Sequence, residues 1–353
     1  MVVDDLVRSP GSWLSMRRDT GIVISSRIRL ARNLKDEPFP GWAGDSDRIR
    51  ICSSLLDLFR RIPDFEDALF FDISTIAAVD REVLQERHLI SHDLAARPAG
   101  SALVLSRSEQ MAIMINEEDH LRMQAFSPGM GLMTLLKRLD QVDTRLESHV
   151  EFAFDVRLGY LTSCPSNLGT GLRASVMMHL SGLRLMDEIE PVIKGLDKLG
   201  IAVRGLLGEG TDAYGNLFQI SNQTTLGDSE AGIVQRLTRI VEEIAVHEEN
   251  ARARLWESRR NRLEDHVARS LGLMLHARLM PSREAVDLLS GLRIGVDFGL
   301  VSNLTVAQIN EIMILIQPGH LQKMTGRVID SDERDALRAD VLQKKLKHVT
   351  MAA

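Results

Sequence analysis

Two short apolar runs, Ala102 to Leu105 and Met111 to Ile115, are separated only by the polar segment Ser106 to Gln110. So short a connection fits a hairpin and leaves no room for a crossover helix. Further strand-like runs lie at Gly21 to Ile24, Ala68 to Ile73, Arg157 to Thr162, Ile201 to Arg204 and Asn216 to Ser221. Helical periodicity separates some of them: Ile49, Leu55, Leu56, Phe59 and Ile62 behind a Ser46 cap, then a helix near Arg81 to Ile90, then Gly129 to Glu147. Neighbouring strands outnumber regular strand–helix alternation, which predicts an α+β domain with a largely antiparallel sheet. From about Asp228 the pattern changes. Ser229 to Ser270 is a long, highly charged helical stretch, and the remainder to Lys347 is nearly all helical by pattern. The expected organisation is a catalytic domain over 20–240 and a helical C-terminal domain over 250–353.

The formal net charge is -6, which argues against general attraction to nucleic acid or an anionic membrane. Cys52 and Cys164 are the only cysteines, too few for a disulfide framework or a metal-ligand set. No run approaches the ~20 apolar residues that span a bilayer. These properties together predict a cytoplasmic globular protein.

Four segments carry chemistry. In Ser25-Ser26-Arg27-Ile28-Arg29, the strand period of two puts Arg27 and Arg29 on one side. Paired guanidinium groups repel unless an anion lies between them, and their planar forks match phosphate oxygens; a solvated basic edge strand is the plain alternative. Asn116-Glu117-Glu118-Asp119-His120-Leu121-Arg122 follows an apolar strand and, alone, reads as an acidic turn. Cys164-Pro165-Ser166-Asn167-Leu168-Gly169-Thr170-Gly171-Leu172-Arg173 must bend tightly, and it reads as a loop opening onto a helix whose N-terminal amides favour anions. In Arg204-Gly205-Leu206-Leu207-Gly208-Glu209-Gly210, the glycine spacing is a near miss to a dinucleotide fingerprint, because a strand rather than a helix follows it. A Gly-x-x-x-x-Gly-Lys-Ser/Thr loop occurs nowhere, which excludes a P-loop ATPase.

In order and spacing these four segments together resemble the phosphagen (guanidino) kinase superfamily. The resemblance covers residues 20 to 230 and implies a glutamine-synthetase-like α+β fold. It implies that Arg27, Arg29, Arg122, Arg173 and Arg204 hold the phosphates of ATP with Mg2+, with Ser25 and His88 beside the nucleotide. It implies that Glu118, Glu209 and Cys164 contact a guanidinium acceptor. Such chemistry is coherent, since phosphoryl transfer needs positioning and charge neutralisation, and two carboxylates can orient a guanidinium while one removes its proton. Which glutamate is the base stays open.

The layout resembles the bacterial protein-arginine kinases (McsB type) more than kinases of free arginine or creatine, which carry a helical domain before the Ser-x-Arg-x-Arg segment. Close variants of Asn116 to Gln124 and of Gly208 to Gln223 support the same likeness. Arg334, Asp335, Arg338 and Ala339 match an Arg-Asp-x-x-Arg-Ala motif that binds phosphoarginine allosterically in that family; a salt-bridged surface helix is the plain alternative. The likeness further implies homodimerisation, a stress-response role, a small zinc-finger activator, a heat-shock repressor substrate and an Hsp100-type unfoldase that takes marked clients. Two other readings remain: a small-molecule guanidino kinase, and a non-catalytic phosphoarginine-binding adaptor.

Overall fold

The computed structural model describes residues 3–8, 11, 21–97, 99–205 and 214–352. Its centre is one eight-stranded sheet built from β1 (Val23–Arg32), β2 (Leu69–Asp72), β3 (Ala102–Leu105), β4 (Met111–Ile115), β5 (Leu121–Pro128), β8 (Leu172–His179), β9 (Ile201–Gly205) and β10 (Leu217–Asn222). A small hairpin, β6 (Phe154–Asp155) and β7 (Gly159–Tyr160), stands apart. The order is β2-β3-β4-β5-β1-β8-β10-β9, and every neighbouring pair is antiparallel. The expected α+β class with an antiparallel sheet is therefore observed, including the β3–β4 hairpin.

Strand periodicity gives the sheet two unlike faces. One carries Ile28 and Leu30 of β1, Ile113 and Ile115 of β4, Ala174 and Val176 of β8, and Ile220 of β10, all buried in the largest apolar cluster. Helices α2 (Asp45–Arg61) and α5 (Leu132–Glu147) cover this face with the first half of α8 (Glu230–His276). The opposite face is polar at its centre. One flank of it is covered by α3 (Ala78–Glu86), whose Val83 and Leu84 pack with Leu103, Met114 and Phe126.

The remaining described helices are α1 (Val3–Val7), α4 (His92–Ala96), α6 (Ser181–Leu185), α7 (Ile189–Lys198), α9 (Ser282–Asp297), α10 (Val306–Leu315), α11 (Pro318–Thr325) and α12 (Ser331–Leu346). The charged stretch predicted from Ser229 is a helical run kinked at Arg259 (φ -136°, ψ 27°) that changes cores along its length. Ile233 to Ala251 pack in the sheet cluster, whereas Leu255 to Met274 pack with α9 to α12. That second cluster also takes in Ile24 and Leu217 from the sheet, so the C-terminal helices sit on the other flank of its polar face.

Two local expectations are corrected. Gly44 rather than Ser46 occupies the N-cap of α2, and Ile49 turns outward at 56% exposure while Ile51, Cys52, Leu55 and Phe59 face the core. The glycine loop opens onto strand β8 and not onto a helix. β8 is inserted between β1 and β10, so ladder hydrogen bonds on both edges override the helix-forming tendency of its Ala and Met residues.

Candidate active site

Register places the arginines. Arg29 on β1 lies opposite Gln124 on β5 and Arg173 on β8, and Arg122 pairs with the adjacent Ala31. Arg27 lies opposite Phe126 and Ser175, and Arg204 on β9 faces Gln219 on β10. The alternation Arg173, Ser175, Met177 on β8 and Gln219, Ser221 on β10 continues the polar face across the sheet. Between this face and the two helical flanks lies a cavity of about 410 Å³, reached by Ser25, Arg27, Arg29, His88, Arg122 and Gln124.

The electrostatics of this floor are those of an anion site. Burial, then Arg122 and Arg173, pull the Arg27 guanidinium down to about 10. Burial, then Arg27, Arg122 and Arg173, hold Arg29 well below its ordinary value, with Glu117 opposing. Arg173 is lowered by burial and by exposed Arg204 nearby. Burial works against Arg122 as well, but its ion pair with Glu117 more than offsets that and raises it. Among the described residues no carboxylate within ion-pair distance serves Arg27, Arg29 or Arg173. Their neutral partners are few: Arg27 donates to Gln219 Oε1 at 2.8 Å, and Arg173 Nη2 to Ser221 Oγ at 3.2 Å. Nε of Arg29 and Nε of Arg173 are shut off from solvent with no acceptor among the described residues. Buried donors are rarely left so, and several cations together even less often, unless a ligand completes them.

His88 lines the same cavity with φ of 58° and accepts a hydrogen bond at its carbonyl from Gln124. Burial, then Arg27, lower its imidazole to about 4, so near neutral pH it adds no charge to the cluster.

The acidic turn sits at the end of β4. Asn116, at φ 56°, fastens it by donating to the carbonyls of Arg48 and Gly100. His120 Nδ1 accepts from the Leu34 amide, so its proton is on Nε2 and is donated to the Pro38 carbonyl at 3.1 Å. Three acids thus take three roles. Glu117 is buried against Arg122, and Asp119 accepts from Asn33 and from the Ser163 amide. Glu118 is left exposed, with its carboxyl raised by partial burial and by Asp119 and Glu117.

Ser163 also donates through Oγ to the Glu118 carbonyl at 2.8 Å, which ties the Cys164 segment to the Glu118 turn. Cys164 Sγ lies 3.0 Å from Ser166 Oγ. Behind the loop, Arg32 donates to both Asp143 oxygens and to the Thr170 carbonyl, with its guanidinium 3.5 Å above the Tyr160 ring. Gly171 (φ 64°) abuts this support: a Cβ there would stand 2.6 Å from the Ala31 carbonyl oxygen and 2.8 Å from Arg32 Nη1.

The structure therefore brings Ser25, Arg27, Arg29, His88 and Arg122 to one cavity, with Arg173 opposite Arg29, Arg204 and Cys164 near Arg173, and Glu118 on the turn tied to Ser163. Glu209 lies outside the described residues. Further along the chain the Gly215 amide donates to Asp287 of α9 at 2.7 Å, and the Arg283 guanidinium lies over the Tyr214 ring. Sequence reasoning passed over Gln124, Ser175, Gln219 and Ser221, which strand alternation marks once β5 and β8 are known to be strands.

Arg334, Asp335, Arg338 and Ala339 lie on α12, apart from the cavity. Arg338 is buried; it donates to the carbonyls of Ile316 (2.9 Å) and Met280 (2.7 Å) and pairs with Asp335. Arg334 donates to the Ile329 carbonyl, and Ala339 packs in the C-terminal core.

Known proteins match this arrangement along most of the chain. Residues 51–251 fit the family described as ATP:guanido phosphotransferase, C-terminal catalytic domain, and residues 260–353 fit the protein-arginine kinase McsB C-terminal domain. A protein-arginine kinase of Geobacillus sp. (strain WCH70) is 44% identical over 339 residues, covering 95% of this chain and 94% of the relative. That of Bacillus subtilis (strain 168) is 41% identical over 343 residues, covering 96% and 94%. A crystal structure of lombricine kinase aligns with a TM-score of 0.59 at 26% identity, covering 67% of this chain and 69% of that one. With both halves matched and full-length relatives above 40% identity, the chain belongs to the protein-arginine kinase family and is a kinase built on the ATP:guanido phosphotransferase catalytic domain.

Proposed function

We propose that this protein transfers the terminal phosphoryl group of Mg-ATP to the guanidinium of arginine side chains displayed on other proteins. The observation that carries this reading is the sheet face at the cavity, where among the described residues Arg27, Arg29 and the neighbouring Arg173 have no carboxylate partner and two Nε atoms have no acceptor. A triphosphate supplies the missing oxygens and charge, and preformed guanidinium donors stabilise the charge that develops on the transferring group. Arg122 and Arg204 complete the set, with Ser25 and His88 beside the nucleotide. Among the described residues no group of three His, Cys, Asp or Glu side chains could hold a metal ion, so Mg2+ would be carried in on the phosphates, where it would supply further charge neutralisation.

In this reading Glu118 and Glu209 orient the acceptor guanidinium, with Cys164 as a further contact. A carboxyl raised as Glu118 is suits proton removal from a guanidinium better than an ordinary one, since general-base efficiency follows pKa. Protein-borne arginine is favoured because the curated relatives are named for it, and because Glu118 and Arg204 are exposed. In the same reading residues 20–240 form the catalytic domain and 250–353 a regulatory one, in which Arg334, Asp335, Arg338 and Ala339 respond to phosphoarginine.

Incubation with Mg-ATP and either casein or free arginine tests the proposal. The expected product is an acid-labile, base-stable phosphoprotein label. Phosphorylation of free arginine at a matching rate would overturn the choice of substrate in favour of a small-molecule guanidino kinase.

A further inference from the structure

The cavity changes character along the strands. Arg29 and Arg173 form one row across the sheet, Arg27 and Ser175 the next, and Ser25 and Met177 the next after that. With about 3.3 Å per residue, four residues of β1 carry the floor ~13 Å from paired cations to Ser25 and Met177, with Ile24 and Leu217 lining the same end. A nucleoside triphosphate has the same polarity, charged at one end and flat and weakly polar at the other.

The sheet does not close the apolar end by itself. Met313 and Ile314 of α10, with Gln317 just beyond, line the same cavity although they lie far along the chain in the C-terminal helices. Met313 belongs to the cluster that also holds Ile24 and Leu217. Ile314 packs on the other flank's cluster, which holds Phe126 and Met114. Helix α10 therefore bridges the seam between the two flanks directly above the apolar end. We infer that the C-terminal helical region supplies the wall against which the nucleobase lies, through Met313 and Ile314. A thioether and a branched alkyl group are suited to the face of a heteroaromatic ring, where polarizable contact gives affinity without a hydrogen-bond code.

The wall is held from both sides. Glu86 of α3, itself lining the cavity, accepts from the amides of Gly319 (2.6 Å) and His320 (3.1 Å) at the start of α11. On the other side Arg338 of α12 donates to the Ile316 carbonyl, in the turn joining α10 to α11. Nucleotide occupancy and the position of the Arg334–Arg338 helix thus bear on one short junction, and any coupling between them runs in both directions.

This inference rests on assigning the arginine floor to phosphate, and the test separates the two. ADP and inorganic tripolyphosphate are titrated calorimetrically into the full-length wild type, the Met313→Ala/Ile314→Ala double variant, the single variant Ile314→Gln, and Arg29→Met. The double variant should lose tenfold or more in ADP affinity while binding tripolyphosphate within twofold of wild type, which also reports an intact fold. Ile314→Gln, at a half-buried position, should show a smaller loss of the same kind even if the double variant folds poorly. ADP binding unchanged in both wall variants, with ADP lost in Arg29→Met, would overturn the wall. Undiminished binding of both ligands by Arg29→Met would overturn the phosphate assignment beneath it.

Discussion

Replacing Arg29 with methionine should make the unliganded protein more stable and the enzyme nearly inactive. Arg29 Nε is enclosed with no acceptor among the described residues, and Arg27, Arg122 and Arg173 all oppose its charge. An unpaired enclosed donor costs ~1–3 kcal/mol, more when charged, while methionine keeps most of the side-chain stem and its packing. The net gain expected is therefore ~1–3 kcal/mol. At roughly 2 °C per kcal/mol for a chain of this size, the melting temperature should rise by about 2–6 °C. A guanidinium on the transferring phosphoryl group is worth ~10³–10⁵ in rate, so kcat should fall by at least about a thousandfold. Differential scanning calorimetry with and without tripolyphosphate reads the first half: the anion should raise the wild-type midpoint and leave the variant unmoved. A variant that melts lower than wild type, yet still responds to tripolyphosphate, would instead make Arg29 a structural residue with another partner and no phosphate contact.

Two further perturbations follow from the buried networks. Asp143→Asn removes the carboxylate that faces the Arg32 guanidinium; with Glu230 3.6 Å away as partial compensation, the loss should be near ~3 kcal/mol, read by urea melts, and an unchanged midpoint would contradict the support assigned to the Thr170 loop. His88 and His120 are held at about 4 and His179 well below its ordinary value, each chiefly by burial. Their unfolded forms titrate near 6.5, so between 6.5 and 4 the unfolded chain binds more protons and stability falls as the solution is acidified. Three such groups contribute up to about 4 kcal/mol per pH unit, to which screening sets a lower practical value. Urea melts at pH 7 and 5 should separate clearly, and a flat profile would contradict buried neutral histidines.

The parts of the site legible in the sequence were those with a local period or a fixed spacing. Arg27 and Arg29 share a face because β1 alternates, and the Ser106–Gln110 turn allows only a hairpin. β5 and β8 were harder. β5 follows an acidic turn and carries Arg122 and Gln124 on its polar side, and β8 carries Arg173, Ser175 and Met177, so neither reads as a buried apolar run. Both are strands because each has a ladder on either side, a tertiary fact that no window of sequence contains. The pairing of Glu117 rather than Glu118 with Arg122 was likewise hidden, since three adjacent acids look alike until the fold buries one, binds one and exposes one. The long helix from Ser229 was visible as a pattern. Its change of cores after Ala251, and the return of α10 to the arginine-lined cavity, depend on contacts between residues nearly three hundred apart.

The central claim is that this site places phosphate on arginine side chains with Glu118 in the acceptor position. Mass spectrometry of a protein substrate after incubation with Mg-ATP, comparing wild type with Glu118→Ala, tests it most directly. Wild type should give phosphoarginine and the variant at least a hundredfold less, at unchanged ADP affinity. Equal modification by both proteins, or modification confined to hydroxyl side chains, would contradict it.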